Sequence, residues 1–375
     1  MGYKILLSGY FGFDNVGDEA ILNAMVKGIR KEMPDAELVA MSANPELTAR
    51  KNGIRAIDRM SIISIMKEMK DMDLFISGGG SLFQDVTSRR SILYYLGVAY
   101  LAKVIFKKKV MIYSQGIGPV TDPKNRERMA KLFRKLDIIN VRDNQSKLEL
   151  NAMGVTENIT VTTDTVFSLE KPDHMAGAEI LANCGVNTRK LTLGVSVRSW
   201  KECTPRITEE IVKTIEAFKD RDMNVVMLPF HFPHDLELSE RIHEQVKVSE
   251  SDPIRIYTLK NLMGEEEFLS VMSNMDIMLS MRLHGLIFAT VCNAWPIGIS
   301  YDPKIQSLLE EMGRERAMEV ESIDSAELVR QIDFAMENMD QLKEQTADTA
   351  HLMREKALLN NKMVKELLTG ENIRR

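Results

Sequence analysis

Cysteine is scarce in this 375-residue chain: Cys184, Cys203 and Cys292 are all there are, and no two stand in a Cys-x-x-Cys spacing. An odd count without ligand spacing argues against a disulfide framework and a zinc site, and it fits a reducing compartment. An excess of positive charge is missing too. The formal net charge is −5 and no stripe mixes basic with aromatic residues, which excludes a dedicated nucleic-acid binder. Long apolar runs are also absent. The longest, residues 92–106, carries Lys103 and falls short of the roughly 18–20 residues that a membrane span requires. The opening Met1-Gly2-Tyr3-Lys4-Ile5-Leu6-Leu7 is too short for the apolar stretch of a signal peptide. Gly2 is not a convincing myristoylation site either, because Leu6 stands where Ser or Thr is expected. A first strand explains the run better.

What is present is ordinary for a globular protein, with 44% hydrophobic and 27% charged residues. The length exceeds the roughly 250–300 residues over which one core keeps growing, so two domains are expected. Val/Ile/Leu-rich runs at residues 4–8, 38–41, 74–77, 110–114, 138–141 and 159–162 read as strands buried on both faces. Helical patterns at 18–32, 91–106, 124–135 and 144–153 separate them, which is βαβ grammar. The pattern pauses at Glu170-Lys171-Pro172 and restarts with strands at 191–197, 225–228, 255–257, 276–279 and 297–300. The fold class is therefore α/β, with two doubly wound units joined near residue 170 and facing a ligand cleft at their strand carboxyl ends. From Ser325 onward the chain reads as one or two long helices.

Three glycine-rich loops follow strands. In Gly9-Tyr10-Phe11-Gly12-Phe13-Asp14-Asn15-Val16-Gly17-Asp18-Glu19 the backbone can turn sharply, and Asp18 can cap the next helix. Loop amides and that helix N-terminus suit an anionic or hydroxylated ligand. The plainer reading is a tight turn, and the spacing is not the dinucleotide G-x-G-x-x-G. Ser77-Gly78-Gly79-Gly80-Ser81 lets a ligand approach the backbone at Gly79 and Gly80. It lacks the Gly-Lys-Ser/Thr of a nucleotidase loop. Gln115-Gly116-Ile117-Gly118-Pro119 is similar, with Gln115 as its polar side chain. Each loop is weak evidence alone; three at successive strand ends point to a binding edge.

The sharpest pattern is Ser280-Met281-Arg282-Leu283-His284-Gly285, directly after an apolar strand. A lone imidazole is commonly a core residue, but Arg282 beside His284 suits an anion and a proton transfer. Tyr301-Asp302-Pro303-Lys304 follows the next strand and can bring Lys304 to the same anion. Arg142 and Arg198 also stand at strand ends, where each is either a ligand clamp or a structural pair with a carboxylate. Pro229-Phe230-His231-Phe232-Pro233-His234-Asp235 could suggest a metal, yet no third ligand cluster completes one. Substrate contact by His231 or a rigid loop is the better reading. The apolar stretch 94–106 with Lys107, Lys108 and Lys109 reads as a core helix with a solvated end. The rarer reading is a membrane-surface helix, where clustered lysines contribute about 1 kcal/mol each.

Taken in order, the loop at 9–19, Ser77–Ser81, Gln115–Pro119, Val141-Arg142-Asp143, Ser280–Gly285 and Tyr301–Lys304 resemble the polysaccharide pyruvyltransferases. Among them the chain is most similar to the bacterial cell-wall (CsaB-like) type, whose ketal decorates a secondary polymer bound by surface-layer proteins. The resemblance implies a fold like the two-domain glycosyltransferase-B architecture and a metal-independent reaction with no cofactor. Phosphoenolpyruvate would be the co-substrate, and a 4,6-pyruvate ketal on a hexose or N-acetylhexosamine the product. The acceptor would be β-N-acetylmannosamine of a lipid-diphosphate-linked disaccharide. Arg282, His284 and Lys304 would be the catalytic group, with Arg142 or Arg198 completing the clamp on the donor. Asp14, Asn15 and Asp18 would position acceptor hydroxyls. Residues 1–170 would then form the acceptor side and 171–330 the phosphoenolpyruvate side, with 331–375 helical and packing back on the first domain. The setting would be cytoplasmic, compatible with peripheral contact at the inner membrane face. A glycosyltransferase of the same architecture using a nucleotide sugar is the rival reading, and a non-catalytic carbohydrate binder a third.

Overall fold

The computed structural model describes residues 2–86, 89–314 and 316–371, with only the backbone of Arg89. Two compact units share the chain: the first runs to Leu169 and takes up the segment from Met353, and the second spans Glu170–Leu352.

In the first unit the strands are β1 (Lys4–Ser8), β2 (Glu37–Ser42), β3 (Arg55–Asp58), β4 (Leu74–Gly78), β5 (Lys109–Gln115), β6 (Ile138–Val141) and β7 (Ile159–Val161). The helices between them are α1 (Val16–Glu32), α2 (Pro45–Asn52), α3 (Ile62–Asp71), α4 (Arg89–Tyr100), α5 (Pro123–Phe133) and α6 (Asn144–Ala152). All pairings are parallel, in the order β3-β2-β1-β4-β5-β6-β7. Strands such as β1 are buried along nearly their whole length because helices cover both faces. That is why they read as continuous apolar runs. β3 escaped the sequence reading for the opposite reason: it is a four-residue edge strand, Arg-Ala-Ile-Asp, with exposed charges at both ends.

The second unit opens with α7 (His174–Asn183). It continues through β8 (Leu191–Ser196), α8 (Thr204–Ala217), β9 (Met223–Met227), α9 (His234–Gln245), β10 (Arg255–Thr258) and α10 (Glu265–Met272). Then come β11 (Ile277–Ser280), α11 (Leu283–Cys292), β12 (Trp295–Ser300), α12 (Pro303–Glu311), β13 (Met318–Glu319) and α13 (Ser325–Glu337). Its sheet is also parallel, in the order β10-β9-β8-β11-β12-β13. The two-residue β13 left no sequence signal.

A final helix, α14 (Met339–Thr369), contributes its C-terminal part to the first unit. There Asn361 Oδ1 accepts from Tyr113 Oη at 2.7 Å and Asn360 Oδ1 accepts from Thr162 Oγ1 at 2.6 Å, all four side chains being buried. Gly28 of α1 packs directly on the Asn361 amide, where any Cβ would collide. Among the described residues no helix is long and apolar enough to cross a membrane.

One expected boundary moves. α1 begins at Val16, with Asn15 as its N-cap: the Asn15 Oδ1 accepts from Gly17 N at 3.1 Å. Asp18 therefore lies inside the first turn, where a carboxylate complements the helix dipole without capping it.

Candidate functional site

In each sheet the strand order reverses once, between β1 and β4 and between β8 and β11. Such switch points open a crevice at the strand carboxyl ends, where ligands of open α/β sheets bind.

In the second unit, β11 ends at Ser280 and the chain turns at once into α11. Ser280 Oγ accepts from Arg282 N at 3.0 Å and donates to Arg282 O at 2.9 Å, so one hydroxyl pins the turn. Gly285 packs against that hydroxyl and a Cβ there would overlap it. The spacing Ser280-x-Arg282-x-x-Gly285 thus has a local cause. His284 sits in the first turn of α11, its ring 6.5 Å from that of Phe288 one turn on.

Arg282 does not stand alone. Its Nε donates to Asp235 Oδ2 at 2.9 Å and its Nη2 to Asp235 Oδ1, a fork-to-fork pair. Asp235 is 1% exposed and its Oδ2 also accepts from Phe230 N at 3.2 Å and His231 N at 3.0 Å. One carboxylate therefore holds both Arg282 and the loop after β9. The pair leaves the Nη1 donors of Arg282 outside it. Sequence reading took Asp235 only as a doubtful metal ligand. Its partner lies 47 residues away, and no local pattern links the two.

Arg198 follows β8, the neighbour of β11. Its Nη1 donates to Tyr301 Oη at 2.8 Å, and its guanidinium lies 4.7 Å from the Tyr301 ring centroid and 5.5 Å from that of Trp200. Tyr301 and Trp200 themselves meet at 4.6 Å. Arg198 Nε is buried without a hydrogen-bond partner, and among the described residues no carboxylate pairs with this arginine. Its charge is held by aromatic faces and a phenol, a setting that leaves it strong toward an incoming anion. Trp200 and Tyr301 were not singled out from sequence. Lys304 is the second residue of α12, where Asp302 Oδ1 caps Lys304 N at 3.1 Å and Asp302 Oδ2 lies 3.9 Å from Nζ.

His231 closes the group. Burial pushes its imidazole below the ordinary histidine range; the Arg282 charge acts the same way, Asp235 opposes it, and His234 and Arg198 lower it further. Asp235 Oδ2 joins His231 N to Arg282 Nε, and Arg198 follows β8, which pairs with both β9 and β11, so the three residues stand at the ends of adjacent strands. Among the described residues no group of three His, Cys, Asp or Glu side chains could hold a metal ion.

Arg142 belongs to the first unit and is spent differently. It is 5% exposed, with Nη1 donating to Asp164 Oδ2 at 2.8 Å, Nη2 to Ser81 Oγ at 3.1 Å, and Nε 3.6 Å from Asp143 Oδ2. It ties β6 to the loop after β4. Gln115 is fully buried and donates Nε2 to Gly79 O, so it supports that same loop from below. Gly79 and Gly80 have φ of +58° and +71°, and a Cβ on Gly79 would strike Ile21 of α1. A Cβ on Gly80 would lie 3.1 Å from Asp18 Oδ1, so the glycine loop and the first turn of α1 meet. Glu19 Oε1 reaches back to accept from Gly12 N at 2.7 Å. Asp14, in the loop itself, has φ of +55°.

Sequence reading missed a further cation in this unit. Arg59, just after β3, is 9% exposed and lies 4.6 Å from the Tyr94 ring, 5.0 Å from Phe13 and 5.4 Å from Tyr95. Its Nη2 donates to Tyr95 Oη at 3.2 Å. Burial pushes the Tyr95 phenol up to about 12, although Arg59 pulls it the other way. The edge strand that hid β3 also hid Arg59.

Comparison with solved structures places this architecture. The chain is similar to Anabaena Alr3699/HepE in complex with UDP-glucose, at 12% identity and a TM-score of 0.64, over 98% of this chain and 100% of that one. It is similar to a glycosyltransferase from Rickettsia africae ESF-5, at 13% identity and 0.64, over 99% and 100%. A putative UDP-N-acetylglucosamine 2-epimerase from Listeria monocytogenes aligns at 14% identity and 0.67, over 99% and 98%. At such identities the likeness shows the fold alone: two Rossmann-like domains, as in glycosyltransferase-B enzymes and these epimerases. No curated protein sequence matches the chain significantly. The model of one family, polysaccharide pyruvyl transferase, matches residues 15–303. That span starts at Asn15, the cap of α1, takes in the glycine loops after β4 and β5, Arg198, the Asp235–Arg282 pair and His284, and stops one residue before Lys304. The chain belongs to the polysaccharide pyruvyl transferase family.

Proposed function

We propose that this enzyme transfers the pyruvyl unit of phosphoenolpyruvate to a sugar as a 4,6-ketal and releases phosphate. The acceptor of this reading is β-N-acetylmannosamine of a lipid-diphosphate-linked cell-wall precursor, the bacterial cell-wall type of the family, met at the cytoplasmic membrane face. The observation that carries it is the grouping of Arg198, His231 and Arg282 at the carboxyl ends of β8, β9 and β11. A donor bearing both carboxylate and phosphate requires more than one cation, and preorganised cations in a partly desolvated site stabilise charge without reorganising.

In this mechanism Arg282, held by Asp235, and Arg198, backed by Tyr301 and Trp200, grip the donor, with Lys304 as the third cation. Arg142 keeps the first unit's glycine loop in place and takes no part in the clamp. His284 delivers a proton to the methylene carbon of phosphoenolpyruvate, which makes C2 an oxocarbenium-like centre. One acceptor hydroxyl adds to C2 and gives up its proton. The C2–O bond to phosphate then breaks and the second hydroxyl closes the ketal. The two hydroxyl protons are balanced by the new methyl group and the departing phosphate. His231, kept neutral, can orient the donor without adding charge. On the acceptor side Asp14, Asp18 and Arg59 line the first unit's strand ends, while Asn15 shapes the loop as the cap of α1.

Phosphate release from phosphoenolpyruvate, measured with and without a lipid-linked N-acetylmannosamine disaccharide, tests the reading. Acceptor-dependent release with a pyruvylated product by mass supports it. Tight binding of a uridine nucleotide by calorimetry, with no such release, would overturn it in favour of nucleotide-sugar transfer.

A further inference from the structure

Helices α3, α4 and α5 each connect strands running the same way along the first sheet, from β3 to β4, β4 to β5 and β5 to β6. Right-handed crossovers put all three on one face. Their inner residues share one core: Ile65 and Met69, Tyr95 and Ala99, Met129 and Phe133. Their outer residues are unusual. On α4 and the π-helical turn that continues it (Leu101–Ile105), Leu93, Gly97, Tyr100 and Val104 line an open groove of about 400 Å³. Leu93 and Tyr100 are 43% and 46% exposed, and Ile105 beyond them is 56% exposed. Across the groove, Arg128, Lys131 and Lys135 of α5 and the turn after it form its rim. With exposed Lys124 they repeat at intervals of four, three and four residues, a single helical stripe. Lys131 pairs with Glu127 at 2.6 Å, an exposed contact that water screens.

The outer side of α3 repeats the theme. Met60, Ile62, Ile63 and Met66 are exposed, Ile63 to 84%, and the exposed Lys67 and Lys70 follow along the helix. Single exposed apolar residues need no explanation. A continuous apolar groove with a one-signed cationic rim does. We infer that this face of the first unit docks on an anionic lipid bilayer, with the α4 stripe and the α3 tip in the interface and the α5 stripe against the headgroups. Charge complementarity selects that occupant, because a second copy meeting the groove through the same face would set one cationic rim against another. The apolar stretch at 92–106 is thereby explained as a helix buried on one side and lipid-facing on the other. The inference rests on the proposed lipid-linked acceptor only for its purpose, since such an acceptor is met at a membrane surface.

The test is flotation of the full-length protein with vesicles of phosphatidylcholine alone or with added phosphatidylglycerol, at low and high salt. Binding is expected only to the phosphatidylglycerol vesicles, and weaker in salt. Three reversed charges, in Arg128→Glu/Lys131→Glu/Lys135→Glu, should cost about a hundredfold in vesicle affinity, roughly fivefold for each cation. Leu93→Ser/Tyr100→Ser should cost about tenfold. Both variants should keep the wild-type circular dichroism and thermal transition. Absence of wild-type binding would overturn the inference, as would binding that neither variant weakens. Groove-dependent self-association by size exclusion, without vesicle binding, would overturn it too. Turnover on a water-soluble, short-chain acceptor separates the two claims. If that turnover is intact while vesicles are ignored, only the docking surface fails. If vesicles bind through the groove while phosphoenolpyruvate is never consumed, only the proposed reaction fails.

Discussion

Asp235 grips Arg282 through both carboxylate oxygens while the same carboxylate anchors the backbone of Phe230 and His231. Two strand-end loops are thereby fixed by a single side chain that is 1% exposed. Asp235→Asn keeps the shape but removes the charge. It should destabilise the protein by about 2 kcal/mol, because a partly buried guanidinium loses its counter-ion. It should also raise the phosphoenolpyruvate KM as Arg282 loses its orientation. Denaturant unfolding and steady-state kinetics on the same preparation check both effects.

Arg198 rests on Tyr301 and Trp200 whereas Arg142 is paired with Asp164, and in the proposed mechanism only Arg198 meets the donor. Arg198→Ala should raise the phosphoenolpyruvate KM about 10- to 100-fold with little change in stability, since it has no carboxylate partner to orphan. Arg142→Ala should instead remove the buried guanidinium that faces Asp164 and Asp143 inside the first unit and lower the melting temperature. A KM effect for Arg142→Ala without loss of stability would reverse the assignment.

His284→Ala should lower kcat by about 10²- to 10⁴-fold at saturating phosphoenolpyruvate, the usual range for a lost proton-transfer group. Donor affinity should change far less. Near-normal turnover would remove His284 from the proton-transfer step.

His231 gives a pH dependence of defined sign. Its folded pKa lies below the ordinary value of 6.5, so between the two values the unfolded chain binds a proton that the folded chain refuses. Stability therefore rises with pH through that window, is fully present above about 6.5, and falls as the solution is acidified. His231→Asn should flatten the slope just below about pH 6.5 in urea unfolding; an unchanged slope would assign it to other groups.

Gly285 tests the turn that presents Arg282 and His284. Replacing a helical glycine by alanine normally stabilises a helix by about 1 kcal/mol. Here the added Cβ meets Ser280 Oγ, so Gly285→Ala should destabilise the protein and reduce turnover. Thermal unfolding gives the sign directly.

Much of this protein is local, and the sequence by itself determined that part. β1, β4 and β11 are covered on both faces and so announce themselves as apolar runs, whatever they later pair with. The glycines at 78–80 and 285 report positions where backbone must pass close to another group. Arg282 and His284, two residues apart just after an apolar strand, mark a strand-end site before any strand order is known. The seam near residue 170 lies where the polar stretch Glu170-Lys171-Pro172 interrupts the alternation.

Only the tertiary structure decided how the charges are spent. Arg282 meets Asp235 across 47 residues, Arg142 meets Asp164 across 22, and Thr162 meets Asn360 across 198. Such separations carry no periodic signal, because the crossovers alone bring those strand ends and helices side by side. The outward side of α4 was hidden for a related reason. An apolar residue has the same identity in a core or on a surface, and only packing against the sheet settles which stripe of a helix is left facing out.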